Sequence, residues 1–314
     1  MATKKTIVVV GATGRQGGSV VDTFLDLSNW HVRAITRAEV VSADLGDPVS
    51  LTAAFANANA IFLNTDFWTV FYPAKASLEA ENKDVAAASH TAFEAETRYG
   101  KNAAVAAAAV PTLERIVVSS LGSVSVGGKY TRSLHPEAKN WTKEYIEREQ
   151  PALAAKMSVI YLGAYSTNRL LAPTLDKSTG KFKFVSPIHD HIRLPVIDPQ
   201  KSTGLFVREL IEDEAPGIKL LAYDSDLTIG QIVEVLSKAS GKEAMYVPVT
   251  TQDMHKMGAL WEHLDAIDFL NEHDYEASVP GVIRPSQLKT KVETKPFEEW
   301  LKEQDWDAVL APPA

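Results

Sequence analysis

The sequence predicts an α/β fold: a doubly wound parallel sheet with a smaller C-terminal α+β lobe. Three observations predict it. Short Val/Ile-rich runs alternate with helical stretches, a glycine-rich turn follows the first run, and the alternation stops near Gly163, where Pro and Gly become frequent, as in SPIHDHIRLPVIDP. Strands of a parallel sheet are covered by helices on both faces. They therefore read as continuous β-branched runs rather than as alternating ones.

The elements follow in order. Residues 7–10 (IVVV) form the first strand, and residues 19–27, after the glycine turn, the first helix. Residues 31–36 (HVRAIT) make the second strand, and a third starts at residues 40–43. Asp47 caps a helix that has Pro48 at its first position. Residues 60–64 (AIFLN), 115–119 (RIVVS) and 158–162 (SVIYL) are the next strands, with helices at 96–109 and 136–149 between them. Beyond Gly163 the expected elements are a strand at 219–223, a helix at 228–240 stopped by Gly241, a strand at 245–250 and helices at 252–271 and 296–303. One join conflicts with this scheme. Only Ala38 and Glu39 separate Arg37 from Val40, whereas neighbouring parallel strands need a crossover of roughly a dozen residues. Either the third strand does not lie beside the second, or residues are missing from this join, and the second alternative is favoured.

Composition excludes several classes. The 314 residues are 45% hydrophobic and 23% charged, with a formal charge of −8 and a pI near 5.5. Lys and Arg are scattered among an excess of Asp and Glu, which argues against direct binding of nucleic acid. There is no cysteine, so disulfides and thiolate metal sites are out, and a reducing compartment is expected. The longest apolar run, residues 103–110, is too short to cross a bilayer. A soluble cytoplasmic protein, with the nucleus as a second location, is the expectation.

Gly11-Ala12-Thr13-Gly14-Arg15-Gln16-Gly17 fits G-x-x-G-x-x-G between the first strand and first helix. Gly11 permits the tight turn, Gly14 lets backbone amides approach a diphosphate, and Gly17 lets the helix pack close to the strand. Arg37 ends the second strand, where an NAD-binding chain usually carries an acid, and Arg15 lies inside the turn. Two guanidinium groups suit a 2′-phosphate, so NADP(H) is expected over NAD(H). The alternatives are that Arg37 is a solvated surface residue, or that Glu39 favours the free ribose.

The usual proton-transfer pair of short-chain dehydrogenases, Tyr-x-x-x-Lys, is missing: none of the nine tyrosines has a lysine four residues on. His135-x-x-x-Lys139 is the single His-x-x-x-Lys, and its spacing puts both side chains on one helix face. Lys139 can bind a ribose. His135 stands where the tyrosine would, or merely caps and packs the helix start. Tyr130 is a second candidate acid. His189-Asp190-His191 lacks the further ligand a metal needs and reads as a polar loop, so no metal is expected. Phe67, Trp68, Phe71 and Tyr72 are either core or a wall over a substrate cleft. No G-x-S-x-G elbow accompanies Ser119 and Ser120.

At GATGRQGGSV, HVRAITR, NTDFW, RYGKN, VVSSL, YLGAYSTN, PVIDPQKSTG and the His135/Lys139 pair, the sequence resembles the NmrA-like family, atypical relatives of the short-chain dehydrogenases, in its fungal branch. The resemblance covers nearly the whole chain. It implies a Rossmann-type domain over residues 1–162 and a smaller lobe over 163–314, with segments near 195–200 and 219–223 returning to the first domain. It implies NADP held by Gly11, Thr13, Gly14, Arg15, Gln16, Gly17 and Arg37, with Asp44 near the adenine, Asn64, Thr65 and Asp66 beside the glycines, Lys139 near the ribose and Asn168 in the cleft. The chain departs from the family in its short linker after Arg37 and in Asp66, where many members have Asn. Relatives of this kind are either sensors that bind NAD(P) and change protein partners without turnover, or reductases. The missing tyrosine points to a cofactor-sensing regulator with a protein partner. The retained Lys139 keeps open an NADPH-dependent reductase or isomerase of a small aromatic or polyketide-like molecule.

Overall fold

The computed structural model describes residues 4–36 and 41–306. Its strands are β1 (Lys5–Val10), β2 (Trp30–Thr36), β3 (Val41–Ser42), β4 (Ala60–Leu63), β5 (Arg115–Ser120), β6 (Met157–Leu162), β7 (Ala164–Tyr165), β8 (Thr174–Leu175), β9 (Phe182–Ser186), β10 (Arg193–Ile197), β11 (Lys219–Ala222), β12 (Ser225–Thr228) and β13 (Ala244–Pro248). Its α-helices are α1 (Arg15–Leu25), α2 (Pro48–Phe55), α3 (Trp68–Ala80), α4 (Ala86–Ala108), α5 (Leu134–Glu149), α6 (Pro151–Ala154), α7 (Thr203–Glu212), α8 (Ile229–Ser240), α9 (Thr251–Lys256), α10 (Trp261–Glu272) and α11 (Phe297–Lys302).

Seven strands form one parallel sheet in the order β11-β6-β5-β4-β1-β2-β3. Successive side chains of a strand point to opposite faces, and both faces are buried. Val8, Val10, Ile61, Leu63, Ile116 and Val118 pack under α2, α4 and α5. Ile7, Val9, Ala60, Phe62 and Val117 pack under α1 and α7. This is the Rossmann-type, doubly wound arrangement. The order reverses between β1 and β4, so the carboxyl ends of those two strands open a crevice, the usual ligand position in such sheets.

Two small sheets, β12-β10-β7 and β13-β9-β8, belong to the C-terminal lobe. Its core of Phe182, Phe184, Ile229, Ile232, Leu236, Leu264, Ile267, Phe297 and Leu301 is separate from the two cores of the large sheet. The 219–222 segment is an edge strand of the large sheet, beside β6. Near 195–200, β10 pairs with β12 and β7, and Ile197 at its end joins the core beneath α1 and α7.

Several expected elements move. The third strand does lie beside the second, with Ile35 opposite Val41 and Thr36 opposite Ser42. The crossover rule assumes strands that run side by side along their length. Here only two residue pairs overlap, so the rule for full-length neighbours does not apply. Residues 37–40, with Arg37, Glu39 and any omission at that join, lie outside the described residues. The first helix starts at Arg15 rather than residue 19, with Gly14 as its cap residue. The long alanine-rich helix starts at Ala86, ten residues earlier than expected. The 252–271 stretch is two helices, broken around Gly258, whose φ of +97° leaves the helical region. Among the described residues no helix is long and apolar enough to cross a membrane, and no cluster of three or more His, Asp or Glu is arranged to hold a metal.

Candidate functional site

The crevice at the sheet's order reversal has the glycine turn on one side. Gly11 has φ +75°, a left-handed conformation that glycine adopts without steric cost, and its carbonyl accepts from Gly14 N–H at 2.9 Å. A Cβ on Gly17 would lie 2.2 Å from the Gly11 oxygen, so only glycine lets α1 start this close to β1. No side chain caps α1. Its first-turn amides therefore keep their hydrogen-bonding capacity and the positive end of the helix dipole. Thr13, Gly14 and Arg15 are exposed, whereas Gln16 is buried. Gln16 Nε2 donates to Tyr165 Oη at 2.7 Å, its Oε1 is buried without a partner, and Arg15 donates to Thr167 Oγ1. The first residues of the C-terminal lobe thus cross beside the turn.

The end of β4 forms the opposite side. Asn64 O would lie 3.3 Å from a Cβ on Gly11. Asp66 is tied to the start of α3, accepting from Trp68 N–H at 3.0 Å and from the Thr69 hydroxyl. Asp44, just past β3, accepts from Gly46 N–H at 2.7 Å and is otherwise exposed. Thr65 is buried, and its hydroxyl donates to Glu96 Oε1 at 2.5 Å. Lys139 Nζ donates to Thr65 O at 2.6 Å, Glu96 Oε1 at 3.2 Å and Asn64 Oδ1 at 3.3 Å. All three ammonium protons are placed.

His135 lies one turn before Lys139 but belongs to a different network. Its backbone N–H donates to Glu262 Oε1 at 2.8 Å, and its ring Nδ1 lies 2.8 Å from the same oxygen. Glu262 sits in the first turn of α10, which is anchored across the start of α5. Ser133 Oγ donates to Glu262 O at 2.6 Å and accepts from Ala266 N–H at 3.1 Å, while Arg132 binds Asp265 through backbone and guanidinium. Trp68 and His263 stack on each other with centroids 4.6 Å apart and pack against the His135 ring, which stays partly exposed. Burial, and then the neighbouring His135, push the His263 imidazole down to about 4. Phe67 and Phe71 are core, Trp68 is half-buried and Tyr72 is exposed, so the aromatic stretch is both core and surface.

Tyr130, the second candidate acid, packs on α10 and takes no part in the hydrogen bonds of Lys139. Its ring meets Phe269 and His273 edge-on at the far end of α10, on the wall of a cavity of about 600 Å³ that also includes Pro187, Thr250 and Asp268. Burial raises its phenol above the ordinary value, which further disfavours ionisation.

Glu96, Glu262, His263 and Tyr165 were not singled out in the sequence. For Glu96 a signal exists. Residues 88, 92, 96, 100 and 104 recur every four positions along α4; four are Ala or Gly, and all five are buried. An acid on such a stripe faces inward.

A sequence profile of the NmrA-like family matches residues 3–301. An NmrA-like family domain-containing oxidoreductase of Aspergillus versicolor, notA', is 36% identical over 94 residues, 24% of this chain and 26% of that protein. The match thus spans about a quarter of that relative's length. Among solved structures, the negative transcriptional regulator NmrA superposes with a TM-score of 0.70 as its NAD complex (21% identity, covering 98% of this chain and 100% of that one) and 0.67 as its NADP complex (18%, 98% and 100%). The NADPH-dependent quinone oxidoreductase QOR2 of Escherichia coli, complexed with NADPH, gives 0.64 at 19% identity, covering 94% of this chain and 98% of that one. At these identities the structural likeness is one of fold, but the profile takes in almost every residue, and the chain belongs to the NmrA-like family.

Proposed function

We propose that this protein binds NADP(H) in the crevice between β1 and β4 and works as a cofactor-sensing regulator through a protein partner, without turnover. The crevice fits a dinucleotide. The amides of the first turn of α1 suit a diphosphate, Gly11 and Gly17 leave room no other residue would, and Gln16 carries an unsatisfied buried oxygen there. Arg15, and Arg37 by its sequence position, supply cationic groups for a 2′-phosphate. Bound NADP(H) would carry the hydride in any redox step.

The observation that carries the regulatory reading is the state of the two helix-borne candidates. Lys139 and His135 are each held by a buried carboxylate, Glu96 and Glu262, and Trp68 and His263 pack against His135, so that only 14% and 16% of the two side chains stays exposed. A proton donor for a substrate oxygen has to be reachable by that oxygen. The excess of negative charge favours a protein over DNA as the partner.

A reductase is the second reading, favoured by the name oxidoreductase carried by the Aspergillus relative. Two measurements separate these readings. Titration should give tighter binding of NADP(H) than NAD(H), and Arg37→Asp should weaken NADP(H) by about tenfold or more. A screen of quinones and aromatic carbonyls should show no sustained NADPH consumption. Sustained turnover that disappears in Lys139→Ala would overturn the regulatory reading, and unchanged NADP affinity in Arg37→Asp would end the case for the 2′-phosphate.

A further inference from the structure

We infer that Glu96 is the positioning residue of the nicotinamide half of the site, acting through Lys139; the inference rests on the NADP(H) reading above. Glu96 lies on α4, with its side chain wholly buried, and no nucleotide atom need touch it. Its Oε1 gathers two donors from different elements, Thr65 Oγ1 at the end of β4 and Lys139 Nζ on α5. Three acceptors, from Asn64, Thr65 and Glu96, fix the ammonium in space. Glu96 alone among them carries charge and stands on a separate helix.

The backbone is arranged to make this contact. Gly100 lies one turn beyond Glu96 on α4, and Thr142 one turn beyond Lys139 on α5. A Cβ on Gly100 would sit 2.0 Å from Thr142 Oγ1. The Thr142 side chain is therefore seated directly on Gly100, which draws the two helices together just past the ion pair, and the Glu96 carboxylate on one reaches Lys139 on the other.

The pair is not a finished structural brace. Glu96 Oε2 is buried and has no hydrogen-bond partner. A half-satisfied buried carboxylate is costly to a fold, and a hydrophobic pair would fill the space better. What the arrangement does supply is a cation held at a fixed point beside Asn64, whose carbonyl also abuts Gly11 of the diphosphate turn. Lys139 can turn one proton toward a ribose hydroxyl by giving up its longest bond, that to Asn64, while Glu96 and Thr65 keep it in place.

The test compares two ligands by calorimetric titration: NADP⁺, and adenosine 2′,5′-bisphosphate, which lacks the nicotinamide half. Glu96→Gln keeps the shape and removes the charge. NADP⁺ affinity should fall about tenfold, with affinity for the bisphosphate unchanged within about twofold. In a Lys139→Met background, Glu96→Gln should cost nothing further, because the residue it acts through is gone. If Glu96→Gln does not fold, Thr65→Val, which removes one of the two donors fixing the carboxylate, should give the same selective loss in smaller measure. Equal loss for both ligands would mark Glu96 as a fold brace only, and no change for either would leave it no role; both results overturn the inference. A wild-type chain that binds neither ligand would instead refute the NADP(H) reading itself, and this inference with it.

Discussion

Gly17→Ala should abolish useful dinucleotide binding and lower the stability of the whole chain. The added methyl would lie 2.2 Å from Gly11 O, 2.5 Å from Gly11 C and 2.9 Å from Ala12 Cα. All three are backbone atoms of the turn, and none can rotate away. Relief requires α1 to move by the better part of an ångström from β1, in a core where Val20 and Phe24 are fully buried. Overpacking of this kind costs about 1–3 kcal/mol. The first-turn amides move with the helix, so NADP(H) affinity should fall by at least about tenfold. Gly204→Ala is the control. Its methyl would meet Ser19 O and Thr23 Oγ1 at 2.2 Å, where α7 packs on α1 away from the turn. It should cost comparable stability and leave nucleotide affinity near wild type once the protein is folded. Chemical denaturation and nucleotide titration of both variants separate the two effects. A Gly17→Ala protein that binds NADP(H) normally would remove the glycine turn from the site.

Acidification should undock α10 through His263. In the folded chain burial holds this imidazole neutral, with its affinity for protons down at about 4, against 6.5 for the free side chain. The neighbouring His135 lowers it further, and Glu262 offsets this only in part. Between about pH 6.5 and 4 the unfolded chain therefore binds a proton that the folded chain does not. Stability from this residue is complete above 6.5 and is lost as pH falls through that window, to a limit of about 3 kcal/mol. Two buried carboxyls act in the opposite sense. Burial pushes Asp224 up to about 6, and burial with the Asp213 contact pushes Glu209 up to about 7. A single pH profile would mix these contributions. His263→Phe isolates the imidazole, since phenylalanine keeps a ring on Trp68 and takes no proton. Wild type should lose stability relative to this variant progressively from pH 7 to pH 4.5, read from urea unfolding at each pH. A constant difference across that range would show that the imidazole titrates normally.

Much of the fold was legible because its signals are local. Strand β1, its glycine turn and the start of α1 are consecutive in sequence, and backbone sterics at Gly11 and Gly17 fix their geometry. The Asp47 cap with Pro48 behind it, and Gly241 in a left-handed conformation after α8, are equally local. Helix α7 lies outside the expected elements, although Phe206, Val207, Leu210 and Ile211 give it a buried stripe. The break between α9 and α10 is not legible in the sequence, because the apolar pattern continues on both sides of Gly258.

The sequence by itself determined that a dinucleotide-type turn lies at the head of a parallel α/β sheet, and that the usual tyrosine is absent. Both are statements about neighbouring residues, and covalent geometry suffices to make them. Only the tertiary structure decided what the lysine and the histidine do. Lys139 and Glu96 are 43 positions apart, and His135 and Glu262 are 127 apart. Such pairs exist because α4 meets α5 closely where Thr142 packs on Gly100, and because α10 crosses from the second lobe onto the start of α5. Helix spacing states which face a side chain occupies; the packing of other helices against that face decides whether it meets water, a ligand or a buried carboxylate.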